Sequence, residues 1–166
     1  YVKHNNQIYE SSFSKITSIV DSTERLTPCF SVYNSSLDQD LVGDGATETT
    51  IDFDSEEFDI GSNFTSDTFT APEEGIYFFS TGVTVVQQDI NRWVRITIKA
   101  GSKSYSTWGW GDSSAGDYAT HSVSCLVKLA LGNTAYVFGT AEADGDSDYD
   151  IIGGEANTFF MGLKIA

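Results

Sequence analysis

FTAPEEGIYFFS, residues Phe69 to Ser80, sets a turn with proline, two acids and glycine directly before an aromatic run. A strand with one wet face alternates apolar and polar side chains, whereas Ile76, Tyr77, Phe78 and Phe79 offer apolar groups to both faces. In a two-layer sandwich the facing sheet covers only one of those faces, so the other needs a further layer or another copy of the chain. The stretch therefore implies a β-sandwich whose subunits associate.

Outward from it, strands follow at short spacing. They are expected near residues 29 to 34, 49 to 54, 67 to 70, 75 to 86, 92 to 100, 103 to 110, 117 to 130, 134 to 141 and 157 to 165. Turn chemistry separates them at Gly43-Asp44-Gly45, Ala71 to Gly75, Ala100-Gly101, Asp112 to Gly116, Leu131-Gly132-Asn133 and Asp144-Gly145. Short strands with such turns indicate an all-β sandwich, most simply a jelly roll. Val94, Ile96 and Ile98 alternate with Trp93, Arg95, Thr97 and Lys99, giving one buried and one polar face. By contrast, Tyr136 and Phe138 oppose Ala135 and Val137, and the last strand sets Phe159, Met161, Leu163 and Ile165 against Phe160, Gly162 and Lys164. A soluble monomer rarely exposes so much surplus apolar surface, and a symmetric homo-oligomer would cover it.

At 166 residues the chain is about one domain long, and its 40% hydrophobic content argues against disorder. The net charge of -15 repels phosphate backbones and anionic lipid, which excludes nucleic acid as a partner. No apolar run reaches the roughly 18 residues of a membrane span, so no membrane insertion is expected. The chain begins at Tyr1 and is expected to be a processed product or a C-terminal fragment. Residues 1 to 28 read as an extension or stalk end: a hairpin over Tyr1 to Tyr9, then a short helical stripe of Ile16, Ile19, Val20 and Thr23 that either packs on the body or meets copies of itself. Residues 29 to 166 form the domain. Two sequons, at Asn34 and Asn63, fit a secreted protein, and Cys29 and Cys125 are expected to stay unpaired thiols.

Two stretches carry candidate binding chemistry. Asp144, Asp146, Asp148, Asp150 and Glu155 fall at positions one, three, five, seven and twelve of a calcium-loop spacing, with Tyr149 where the usual glycine would stand. Calcium is the cofactor this spacing suggests; Asp52, Asp54, Glu56, Glu57 and Asp59 form a second, less regular acidic cluster. Trp108 and Trp110 project to one side of an extended strand, so with Tyr105 they offer a platform for a sugar ring, and Asp112 or Asp117 would accept its hydroxyl hydrogen bonds. Catalysis finds no support: His121 shares a face with Val123 and Cys125, and the sequence has no nucleophile elbow, phosphate loop or zinc-spaced cluster.

Ile51 to Ser80 resembles the most recognisable stretch of the C1q-like domain, the globular head of complement C1q and its relatives. Cys29 to Tyr33 (CFSVY), Leu126 to Phe138 (LVKLALGNTAYVF) and Thr158 to Ile165 (TFFMGLKI) resemble further strands of that family, while Gly132-Asn133 departs from its glycine-aspartate and no collagen repeat is present. The resemblance implies a ten-stranded jelly roll that assembles as a homotrimer, like the tumour necrosis factor fold. One side of Ile76 to Phe79 would then fill the core while the other packs near the threefold axis, and Tyr77, Phe79, Tyr136, Phe138 and Phe160 are assigned to the trimer interface. It also implies an extracellular recognition head for a cell-surface glycan or protein, either the tip of a phage or viral fibre or a secreted animal lectin; a trimerisation clamp without ligand is the structural alternative. If the acidic loop holds calcium, added calcium raises the melting temperature and Asp146→Ala or Asp148→Ala abolishes the rise; a melting temperature indifferent to calcium removes the metal.

Overall fold

The computed structural model describes residues 27–35, 39–87, 92–110, 117–143 and 149–166. The expected N-terminal hairpin and helical stripe lie outside these residues. Thirteen strands run through them: β1 (Cys29–Tyr33), β2 (Gln39–Leu41), β3 (Thr49–Thr50), β4 (Ser55–Ile60), β5 (Phe64–Thr65), β6 (Thr68–Thr70), β7 (Gly75–Gln87), β8 (Trp93–Ala100), β9 (Lys103–Trp110), β10 (Asp117–Leu129), β11 (Thr134–Glu142), β12 (Tyr149–Ile151) and β13 (Phe159–Lys164). Several are only two or three residues long, which raises the number above ten. The described residues contain no helix.

A seven-stranded sheet follows the order β2-β12-β7-β13-β1-β4, with β10 along the other edge of β7, and a six-stranded sheet follows β5-β6-β11-β8-β9, with β3 beside β11. All the pairings are antiparallel, as a jelly roll requires. The strand expected over 49 to 54 divides because the chain changes sheets there. β3 pairs with β11 in one layer and β4 with β1 in the other. Between them Ile51 and Phe53 point inward while Asn34 donates its side-chain amide to the Asp52 carbonyl at 3.0 Å.

The core is aromatic and lies between the sheets. Phe30 stacks on Phe64 at 5.0 Å and on Phe69 at 5.2 Å, meets Phe160 edge-on at 5.1 Å, and leans on Phe79 at 6.3 Å. Tyr77, Phe79 and Phe160 have no exposed surface. They therefore fill the interior and leave nothing to present to another subunit, contrary to their expected place in a trimer interface. Their strands run with the opposite parity, so the outward residues of β7 and β13 are Ile76, Phe78, Met161 and Leu163. Tyr136 and Phe138 do point away from the core, but on the other sheet, where the Phe138 ring leans on Tyr136 at 6.2 Å and is itself buried. The five residues share no surface.

Strand register joins the outward apolar groups into one face. Leu126 of β10 and Leu163 of β13 flank Phe78, Met161 flanks Ser80, and Ser31 of β1 lies between Met161 and Phe58 of β4. Phe58, Ile76, Leu126, Met161 and Leu163 are all exposed on it. The turn before β7 is held at the margin of this face, where the Tyr77 hydroxyl donates to the Glu73 carbonyl at 2.9 Å and Lys164 pairs with Glu73 at 3.0 Å.

Close packing at the centre depends on a missing side chain. A Cβ added to Gly162 would lie 2.6 Å from ring atoms of both Phe30 and Phe79. Gly162→Ala must push apart two rings that other rings hold in place, so urea titration should show a loss of about 1–3 kcal/mol of unfolding free energy. An unchanged midpoint would mean that the rings have room to move.

Candidate functional site

The outward face of the six-stranded sheet has a different chemistry. β8 and β9 form a hairpin closed by the two residues Gly101 and Ser102, with Gly101 at φ 57, a left-handed conformation that glycine adopts without strain. Ala100 therefore faces Lys103, and counting outward places Arg95 opposite Trp108 and Trp93 opposite Trp110. Trp108 is 53% exposed and Trp110 64%. The Trp93 and Trp108 rings lie 4.9 Å apart, and the Arg95 guanidinium sits 5.3 Å from the centre of the Trp108 ring. Arg95 also donates to the Thr140 hydroxyl at 3.1 Å, across to β11. Beside them Arg92 pairs with Glu142 at 3.3 Å.

The residues expected at this site separate. Trp108 and Trp110 share the outer side of β9, but Tyr105 has the opposite parity; it packs against the core, and its hydroxyl approaches the Leu126 carbonyl at 3.5 Å. Tyr105 is therefore not part of the platform. Asp112 lies outside the described residues, and Asp117 opens β10 opposite Gln87, with its side chain outside the described part. Trp93 and Arg95 are the members that reading single strands misses, because they reach the pair from the neighbouring strand.

Of the calcium-loop residues, Asp144, Asp146 and Asp148 lie outside the described residues, while Asp150 in β12 and Glu155 in the following turn are exposed. Among the described residues no group of three or more acids, histidines or cysteines is placed to hold a metal ion. Two acids in other loops, Asp54 and Asp44, serve as caps. Asp54 accepts from the backbone and hydroxyl of Ser35, both at 2.6 Å, and these bonds hold its carboxyl below the usual range. Asp44 does the same for Thr47. Asn34 is buried with its amide nitrogen engaged, so the first sequon is closed to modification in the folded chain. The Asn63 amide nitrogen is likewise inaccessible. Both cysteines are free, and burial pushes the Cys125 thiol up to about 11.

The family model for the C1q domain matches residues 30–162. Among solved structures, the fold is similar to the globular domain of a zebrafish complement 1qA protein, at 18% identity and a TM-score of 0.59, covering 84% of this chain and 98% of that one. It is also similar to murine APRIL, at 11% identity and TM-score 0.58 over 84% and 99% of the two chains. The Eiger TNF of S. frugiperda is similar at 9% identity and TM-score 0.52, over 84% and 94%. At such identities the likeness is one of fold. Among curated protein sequences none matches the chain.

His121 supports the platform from behind. A Cβ at Gly109, the residue between Trp108 and Trp110, would collide with the His121 ring, so glycine there lets β9 lie directly over the imidazole. The ring is buried, its Nε2 has no hydrogen-bond partner, and burial lowers its pKa from the ordinary 6.5. The unfolded chain then takes up the proton more readily than the folded one, so stability falls as the pH drops through 6.5 and levels off below the folded value. Thermal melts from pH 7.5 to pH 5 should show a steeper loss in the wild type than in His121→Gln; parallel curves would exclude the histidine as the cause.

Proposed function

The chain belongs to the C1q domain family, and from that premise we propose that it is an extracellular recognition head that works as a homotrimer and binds a cell-surface glycan or protein. The observation that carries this reading is the contrast between the two outward faces of the sandwich. The seven-stranded sheet displays a continuous apolar face with Phe58, Ile76, Leu126, Met161 and Leu163, which suits a second and third copy of the same chain. On the six-stranded sheet, exposed tryptophans stand among arginine and hydroxyl groups, a surface that suits a polar ligand with flat apolar patches. One face thus serves assembly and the other recognition.

The setting we favour is the tip of a phage or viral fibre. A head with two free thiols depends on packing and association rather than on disulfides. Among the described residues no helix is long and apolar enough to cross a membrane. Binding needs none of the groups that catalysis would, and the buried His121 is shielded from any substrate on the surface.

Association and recognition can be measured separately. Light scattering on the purified chain should give three times the 18.1 kDa chain mass, and Leu126→Glu together with Met161→Glu should return it to a single chain, because each variant places a carboxylate in the apolar face. A wild-type mass near 18.1 kDa would sink the trimer, and a trimer unaffected by both substitutions would place its interface elsewhere.

A further inference from the structure

Resting on the reading of the chain as a recognition head, we propose that the outer face of the β8–β9 hairpin binds a saccharide bearing a carboxylate, with Arg95 holding the carboxylate and Trp108 and Trp110 stacking on the sugar ring. The argument begins with charge. The chain carries 24 acids against 9 bases, so a basic side chain ordinarily finds a carboxylate close by. Among the described bases Arg92, Lys128 and Lys164 do so. Arg95, Lys99 and Lys103 have no carboxylate partner among the described residues, and all three lie on this one hairpin. Of the three, Arg95 and Lys99 point out on the surface that also displays the tryptophans, so an acidic protein keeps two unneutralised cations there.

Arg95 is already oriented for an anion. Its guanidinium carbon lies 5.3 Å from the centre of the Trp108 ring and Thr140 takes one of its five N–H groups, which together fix the direction of the fork. Arg95 keeps part of its surface exposed, and the planar fork of its guanidinium matches the two oxygens of a carboxylate. Glu142, two residues beyond Thr140 on β11, is drawn to Arg92, which reduces its repulsion of an incoming anion.

The aromatic part sets the class of ligand. Neutral sugars would use the tryptophans and leave the arginine idle; a free anion would use the arginine and leave the tryptophans idle. A carboxylated pyranose uses both, since its C–H face stacks on indole while the acid group projects from the ring edge. Lys99 lies four residues farther along the same face, about 13 Å at strand spacing, and its ammonium rests 3.4 Å from the Ser104 hydroxyl. It is placed to meet a second acidic residue of an oligosaccharide. A phosphodiester polymer fits less well, because the overall charge of -15 repels its dense negative charge.

All 3 tryptophans of the chain, Trp93, Trp108 and Trp110, lie in this patch, so tryptophan fluorescence, excited where tyrosine does not absorb, reports on it alone. Titrating the whole 166-residue chain with sialyllactose and with oligogalacturonate should give a saturable change for at least one, at least tenfold tighter than for neutral lactose. Sodium acetate and inorganic phosphate should give none at the same concentrations. Arg95→Gln should weaken binding at least tenfold while the melting temperature and the scattering mass stay near the wild type. Trp110→Ala, at an exposed position on an edge strand, should weaken it likewise and serves if Arg95→Gln does not fold. Equal affinity for lactose, full affinity in Arg95→Gln, or phosphate binding as tight as the sugar would each overturn the proposal. If the wild type adheres to cells and Arg95→Gln adheres equally, this site falls and the recognition head stands; if the wild type binds neither cells nor any saccharide, both fall.

Discussion

The structure depends on one knot of rings. Phe30 of β1 touches Phe64 and Phe69 from the six-stranded sheet and Phe79 and Phe160 from its own sheet, so a single side chain ties the two layers at their centre. Aromatic pairs in offset and edge-on geometry contribute about 0.5–1.5 kcal/mol each beyond the area they bury. Because Phe30 takes part in several of them, its placement fixes the distance between the sheets. That distance in turn requires glycine at position 162, where any side chain would occupy the space the rings use.

Once the inward parity of β7 is set by Tyr77 and Phe79, the outward parity follows without choice. Ile76 and Phe78 must leave the core, and antiparallel register carries the same parity to Leu126, Leu163 and Met161. The apolar outer face is thus a consequence of the same aromatic run that builds the interior. The six-stranded sheet obeys a parallel rule with different residues. Val94, Ile96 and Ile98 point in, so Trp93, Arg95, Thr97 and Lys99 point out, and the hairpin turn brings Trp108 and Trp110 against them.

Much of this was legible in the order of residues. Strand positions followed from turn residues, and the buried face of β8 from clean alternation. What alternation cannot decide is the direction of a strand that is apolar on both sides. Ile76, Tyr77, Phe78 and Phe79 are consistent with either parity, and only the presence of Phe30, Phe69 and Phe160 in the same space selects one. Tyr105 was misplaced for a simpler reason. It stands three residues before Trp108, and an odd separation along a strand reverses the side. Trp93 and Arg95 were within reach of sequence reasoning, because a two-residue turn at Gly101-Ser102 sets the register of the whole hairpin. Reading strands one at a time conceals such cross-strand neighbours.

The platform is also tied to the interior behind it. His121 lies against Gly109 under the two exposed tryptophans, in a space where a neutral imidazole fits and where its Nε2 has no partner. A larger residue at 109 would lift β9 away from β10 and with it the Trp108 ring that Arg95 rests upon. An alanine or serine would serve an ordinary edge strand as well as glycine. In Trp108-Gly109-Trp110 the glycine is required from the inner side and the tryptophans are displayed on the outer side. The strand is thereby held flat against the core at the place where its rings are most exposed, so a ligand stacking there would meet a surface whose position is set by packing rather than by the flexibility of an edge.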